Sequence, residues 1–384
     1  MKIVRVRAIP MSDPVPPERQ HRTDLGTKVK SDATLILVET DNGLTGIGAA
    51  LGCPPVVAAI VEHELALDVV GEDPMFSERI FEKMYNGSRA KPALERGVPQ
   101  AEVSRRNGMV MEAIAGIDIA VWDLHGKLHG QPVVKLLGGQ RMATIPAYVS
   151  GLPGANMAAK LALAKDFAAR GFSAFKYAAA VSFDGIVEEM RALREALGPQ
   201  AKLMVDLHWK FNAQEAIQLI DRLMPYNPYF VEAPCAPEDR EGQALVGARA
   251  RVPIALGEEW HTVYEYRPRF ESRAMAIAQP EVGHTGISQF MQIGRMANAF
   301  HVRVIPHASI GIGIYQAASL HAAAALPNAP MHEYQHSVFD RNLKYVNTSM
   351  RCEGGAFTLP EGPGLGCEPS DAVWAFVRKK GAAS

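Results

Sequence analysis

The sequence is poor in cysteine, and the four it has (Cys53, Cys235, Cys352, Cys367) are scattered through 384 residues. None stand at the close spacing of a metal-binding knuckle, so they read as free thiols of a reducing compartment. No run approaches the roughly 18 apolar residues of a membrane span. The N-terminus, MKIVRVRAIP, alternates like a strand and lacks the apolar block of a secretion signal. An excess of one charge is also missing. Lys and Arg number 40 against 41 Asp and Glu, with no basic run, which argues against nucleic acid or an anionic membrane as a partner. These absences predict a soluble, cytosolic chain. With 48% hydrophobic and 21% charged residues it has a globular composition, and its length suits a barrel plus a smaller domain.

Two patterns divide the chain. In the first third, residues 2–10 and 33–40 alternate as strands, Asp41-Asn42-Gly43 is a tight-turn signal, and residues 44–49 return. Helical patterns follow at about 55–70, 74–86 and 107–128. Residues 11–31 form a long polar connection, a length that in a compact domain is usually functional or disordered. From about residue 142, short β-rich runs alternate with helical stretches: IPAYVSG, FSAFKYA, LMVDLH, YFVEAP, PIALGE, AMAIAQPE, VRVIPHAS and MHEY. Eight runs, seven followed by helices, predict a parallel β/α barrel. The expected division is a capping domain at 1–125, a barrel at 126–335, and a turn-rich tail at 336–384 packing back on the cap.

The chemistry-bearing residues sit at the ends of these runs. Asp206, Glu232 and Glu258 end three consecutive runs at intervals of 26 residues, one βα unit each. In a barrel this sets three carboxylates side by side on the catalytic face. Acids at strand ends also cap helices, but three in register repel one another unless a hard cation such as Mg²⁺ lies between them. Lys176 follows FSAF on the second run; a lysine inside a barrel mouth is costly unless paired, and near a divalent cation its pKa is expected to fall, unless it snorkels outward from the strand end. His307 and Glu281 end adjacent runs, so a carboxylate can orient and tune an imidazole as a general base. His208, two residues past Asp206, is aimed by strand alternation to the same side; it reads as an acid for a leaving group or as a loop residue. Glu333 ends the last run, and either bonds a substrate carboxylate or developing enolate or is a polar residue facing solvent.

Together these residues resemble the mandelate racemase branch of the enolase superfamily, as do LVETDNGLTGIG, AIAGIDIAVWDLHGKLHGQPVVKLLGG and GPGLGCEPSD. The resemblance implies an α+β capping domain, completed by the C-terminal tail, on a modified (β/α)7β barrel. It also implies one Mg²⁺ held by Asp206, Glu232 and Glu258, a His307–Glu281 dyad, and Glu333 as the terminal-strand electrophile. Two departures are informative. The second-strand Lys-x-Lys of racemising members reads Lys176-Tyr177-Ala178, so a base on the second face is missing, and the dyad acid is Glu instead of Asp. Asp206-x-His208-x-Lys210 resembles the Asp-x-His-x-Arg pattern of galactonate- and mannonate-type dehydratases, in which the histidine protonates a departing hydroxyl.

The expected function is therefore Mg²⁺-dependent dehydration of an aldonate or aldarate to a 2-keto-3-deoxy acid. Alternatives are an epimerase, a cycloisomerase, or a catalytically silent protein that binds metal and sugar acid. The expected partners are the small substrate and further copies of the chain. Specificity is expected from residues 11–31 and 51–56. The first loop carries Arg19, His21, Arg22, Lys28 and Lys30, and Tyr85 and Arg89 are further candidates to touch substrate, with Lys210.

Overall fold

In the computed structural model the described residues are 1–17, 20, 22–23, 26–27, 29–87, 92, 95–97, 106–179, 182 and 184–381, without the side chains of 22, 23, 26, 380 and 381. The alternating N-terminal residues form an antiparallel sheet in the order β1 (Ile3–Pro14), β2 (Lys30–Thr40), β3 (Thr45–Ala50). Both β1 and β2 run further than hydrophobic alternation predicts, with Met11 opposite Ala33 and Pro14 opposite Lys30. This end is an exposed two-stranded ribbon, where backbone pairing needs no apolar side chains. Ser12 donates to Asp32 at 2.7 Å, and Lys30 pairs with Asp32 at 2.8 Å.

Among the described residues, three helical segments cover the sheet: α1 (Pro54–Ile60), which continues through a π-turn to Val69, α2 (Ser77–Asn86) and α3 (Met109–His129). The expected domain boundary at 125 falls inside α3. This helix lies against β3 because Gly46 and Gly48 let it approach. A Cβ at Gly48 would stand 2.1 Å from the Gly116 carbonyl oxygen and 2.9 Å from the Ala120 nitrogen, both backbone atoms that cannot rotate aside. Gly48→Ala is therefore expected to cost about 1–3 kcal/mol, the usual range for overpacking. A denaturation midpoint unchanged from wild type would show that strand and helix separate freely.

The barrel strands are β4 (Ile145–Ser150), β5 (Ala174–Ala178), β6 (Lys202–Asp206), β7 (Phe230–Glu232), β8 (Ile254–Leu256), β9 (Ile277–Ala278), β10 (Arg303–Val304) and β11 (His332–Tyr334). They match the eight β-rich runs; β4 to β10 pair in parallel in chain order, and β11 lies beside β4 with Glu333 opposite Tyr148. Seven helices follow the first seven strands, from α4 (Met157–Ala169) through α5 (Ile186–Leu197), α6 (Ala213–Leu223), α7 (Arg240–Arg249), α8 (Val263–Glu271) and α9 (Val282–Ala299) to α10 (Ile314–Ala325). Tyr148, Ala174, Met204, Phe230, Ala255, Ile277, Ile305 and Met331, one per strand position, form a buried inner cluster. The barrel is thus a packed core, not a pore.

The tail joins both domains. Its hairpin adds to the barrel sheet, with Ala356 opposite Pro146, a contact the expected packing on the cap did not include. On the cap side, Leu365 N donates to the buried Asp123 of α3 at 2.8 Å, and Tyr345 bonds Asp13 of β1. All four cysteines are unpaired, and no helix among the described residues is long and apolar enough to cross a membrane.

Candidate active site

Strand periodicity builds the site. Side chains two residues apart point to the same face, so stepping two residues C-terminal from the apolar layer gives the next inward layer: Ser150, Lys176, Asp206, Glu232, Gly257, Gln279, His307 and Glu333. One strand set therefore carries a dry floor and, above it, nearly every polar group singled out in the sequence.

Lys176 is buried between two of the acids, its Nζ 2.5 Å from Glu232 and 3.0 Å from Glu333, and 5.6 Å above the Tyr148 ring. Burial opposes its charge, but Glu232 and Glu333 outweigh burial and hold its pKa well above the ordinary value. Burial likewise opposes ionisation of Glu333, yet Lys176 and His307 bring its carboxyl down to about 2. The Glu333 carboxylate also accepts from Ala308 N at 2.8 Å.

His307 donates from Nδ1 to Glu281 at 2.9 Å, which leaves Nε2 facing inward, 3.4 Å from Glu258 and 3.9 Å from Glu333. Glu281 is itself held by the backbone N–H groups of Gly283 (2.9 Å) and Ser309 (2.5 Å). Burial disfavours the imidazolium, and the charges of Glu258, Glu333 and Glu281 more than offset it, raising the His307 pKa well above its usual value.

His208 reaches the site by a route other than strand alternation. The strand ends at Asp206, and His208 and Trp209 both adopt left-handed φ values, 47° and 55°. The turn folds the imidazole back so that Nε2 meets Asp206 at 2.7 Å, while the His208 backbone N–H donates to the same carboxylate at 2.9 Å. His208 Nδ1 is buried without a hydrogen-bond partner.

Asp206, Glu232 and Glu258 stand at neighbouring strand ends. Burial raises Glu232 and Glu258, and like charge adds to it: Asp206 and Glu333 act on Glu232, Asp206 and Glu232 on Glu258. Asp206 is raised by burial but lowered further by His208 and Lys176. Among the described residues the three do not have a ligand atom each within 4.8 Å of the others. Glu258 Oε2 is buried with no hydrogen-bond partner.

The expected substrate contacts are placed less centrally. Tyr85 stacks on Phe81 and on Tyr264 of α8 at 6.3 Å, and Lys210 is exposed in the turn after β6. His21, Lys28 and Arg89, with Arg19, lie outside the described residues, as does the side chain of Arg22. Two groups went unrecognised in the sequence. Gln279, on the inward step from Ile277, donates to Glu232 at 2.6 Å. Glu259 has two buried, unpartnered oxygens, and burial pushes its carboxyl up to about 7.

Comparison with known proteins gives the family. Residues 6–138 match the mandelate racemase/muconate lactonizing enzyme N-terminal domain, and residues 159–373 the enolase C-terminal domain-like family. The chain belongs to the mandelate racemase/muconate lactonizing enzyme family of the enolase superfamily. A D-galactonate dehydratase of Ralstonia nicotianae is 34% identical, over 88% of each chain. A D-galactarolactone cycloisomerase of Agrobacterium fabrum is 32% identical, over 89% of this chain and 90% of the relative. Among solved structures, a candidate isomerase from Sinorhizobium meliloti in an open-loop conformation superposes with a TM-score of 0.89 at 41% identity, covering 97% of this chain and 98% of its own. A racemase from Streptomyces coelicolor A3(2) with bound magnesium superposes with a TM-score of 0.82 at 26% identity, covering 96% of this chain and 97% of its own.

Proposed function

We propose that the chain is a Mg²⁺-dependent acid-sugar dehydratase that removes the C2 proton of an aldonate or aldarate and eliminates its C3 hydroxyl. The observation that carries this reading is the pair of histidines, each fixed by a carboxylate, at strand ends four strands apart. His307 is fixed through Nδ1 by Glu281, His208 through Nε2 by Asp206. A residue able to accept a proton and one able to donate to a leaving group suit an elimination.

Asp206, Glu232 and Glu258 would hold the metal. The donor set is all oxygen, as Mg²⁺ prefers. The raised Glu232 and Glu258 mark a site with more acids than cations, and Glu258 Oε2, 3.4 Å from His307 Nε2, accepts no hydrogen bond. A magnesium-bound relative of the same fold points the same way. When bound, Mg²⁺ supplies positive charge that offsets these carboxylates and acidifies the substrate's C2 proton.

The remaining work belongs to the chain's own residues. Lys176 neutralises the substrate carboxylate. With the charge of Glu258 that favours the imidazolium offset, the neutral His307 would take the C2 proton at Nε2, and the C–H electron pair forms the ene-diolate, which Lys176 and the Glu333 side of the pocket position. The electron pair then forms the C2–C3 double bond as the C3–O bond breaks, and His208 Nδ1 gives its proton to the departing hydroxyl, which leaves as water. The enol product becomes the 2-keto-3-deoxy acid.

A second reading, a cycloisomerase, is favoured by the similarity to the D-galactarolactone enzyme. Mass spectrometry on a panel of aldonates, aldarates and their lactones separates the two. A dehydratase yields a 2-keto product lighter than its substrate by one water. Turnover confined to lactones, with product mass equal to substrate mass, would replace dehydration by isomerisation.

A further inference from the structure

A second cluster of metal-capable side chains lies outside the acid-rich mouth. Glu112 comes from the first turn of α3 in the capping domain, His261 from the segment leading into α8, and His284 from the first turn of α9. His284 Nδ1 stands 2.7 Å from Glu112 Oε1, and His261 Nε2 stands 3.4 Å from the same oxygen. One ligand atom from each of the three lies within 4.8 Å of the other two. The imidazoles meet edge to face, 5.2 Å between ring centres.

The surroundings are those of a built site. Glu112 is buried, and its second oxygen, Oε2, has no hydrogen-bond partner. The far nitrogen of His261, Nδ1, faces Glu265 at 3.9 Å. Glu265 is in turn fixed by the backbone N–H groups of His261 and Thr262, both at 2.9 Å. A carboxylate behind a ligating imidazole is the usual way its ring is oriented and its basicity raised. The two histidine side chains keep 14% and 25% of their surface exposed, so an ion and a completing water have access.

We propose that Glu112, His261 and His284 form a second divalent-metal site, for a nitrogen-seeking ion of the Zn²⁺ class, that ties the capping domain to the barrel. Two imidazoles and one carboxylate suit Zn²⁺, which commonly takes three protein ligands and a water. The set differs in kind from the all-oxygen group formed by Asp206, Glu232 and Glu258. Its position gives it a structural consequence. Leu51 packs against Gly283, and the neighbours of Gly52 include Glu112, so the three ligands lie beside residues 51 and 52 of the capping domain. Binding would anchor the base of that segment to the barrel rim.

The test uses the full chain, stripped with chelator, loaded with Zn²⁺ in excess Mg²⁺, desalted, and assayed for metal by elemental analysis. One retained zinc per chain is expected in the wild type and in Glu258→Gln. His261→Asn, His284→Asn and Glu112→Gln should each weaken retention at least about 100-fold, because outer partners of a ligand alone are worth 10–100-fold. His284 is partly exposed and Glu112→Gln preserves shape, so the variants test the site without depending on a buried cavity. The wild type should also gain thermal stability on zinc binding, a gain that His284→Asn abolishes. A wild type that retains no zinc, or a zinc that His284→Asn leaves in place and Glu258→Gln removes, overturns the proposal.

Discussion

Asp206→Asn, Glu232→Gln and Glu258→Gln are each expected to reduce turnover by at least about 10³-fold while leaving the protein folded. Metal-based charge stabilisation is worth several kcal/mol, and each ~1.4 kcal/mol is a factor of ten in rate. Folding is expected to survive because the charges removed are not what holds the barrel together. Glu258 is raised well above the ordinary carboxylate range, chiefly by burial and then by its acidic neighbours. A carboxyl whose folded pKa lies above its unfolded value makes ionisation at neutral pH a cost to folding, and that cost grows as pH rises. Glutamine removes it, so Glu258→Gln is expected to melt at or above the wild-type temperature in metal-free buffer. Glu232→Gln leaves Lys176 its second partner, Glu333, at 3.0 Å. Asp206→Asn keeps an oxygen to accept the His208 backbone N–H. Steady-state rates with a turned-over sugar acid, alongside thermal denaturation, check both halves. Chelator-treated wild type that works at the normal rate would refute the metal reading.

The barrel was legible because its two periods, two residues along a strand and 26 between acids, are written in residue type. Asp206, Glu232, Lys176, His307 and Glu333 all fall on the inward step that follows the apolar layer. His208 was placed on the correct side by an argument that does not describe it, since the strand stops at Asp206 and a left-handed turn does the aiming. Gln279 was hidden by its neutrality: it occupies the same step as the acids, but an amide draws no notice in a charge pattern. The group of Glu112, His261 and His284 was beyond reach for a different reason. Its members come from three elements, with Glu112 and His284 172 positions apart, and only the docking of α3 on the barrel unites them. α9 adds to this. It breaks at Gly286 (φ 64°), where Asp118 of α3 accepts from Ser288, so the capping helix helps set the turn carrying His284.

The two active-site histidines should separate in a single pair of variants. His307→Asn is expected to stop both exchange of the C2 proton with solvent and dehydration; His208→Asn is expected to stop dehydration while exchange in D₂O continues. The argument is one of sequence in time and place in space. Proton removal at C2 precedes loss of the C3 hydroxyl, and His307 Nε2 points into the pocket because Glu281 occupies Nδ1. His208 approaches from the β6 side, fixed by Asp206 through Nε2 and left with Nδ1 to donate. Losing one proton-transfer group costs about 10²–10⁴-fold, so either step falls well below the wild-type rate when its own histidine is gone. Exchange is followed by loss of the C2 proton signal in NMR, and dehydration by appearance of the 2-keto product. Asparagine keeps a polar group of similar reach, and His208→Asn leaves Asp206 and the backbone turn in place, so an effect on dehydration alone would report proton donation rather than collapse of the site. If exchange instead survived in His307→Asn and vanished in His208→Asn, the base would be His208, and the two roles would be interchanged on the same scaffold.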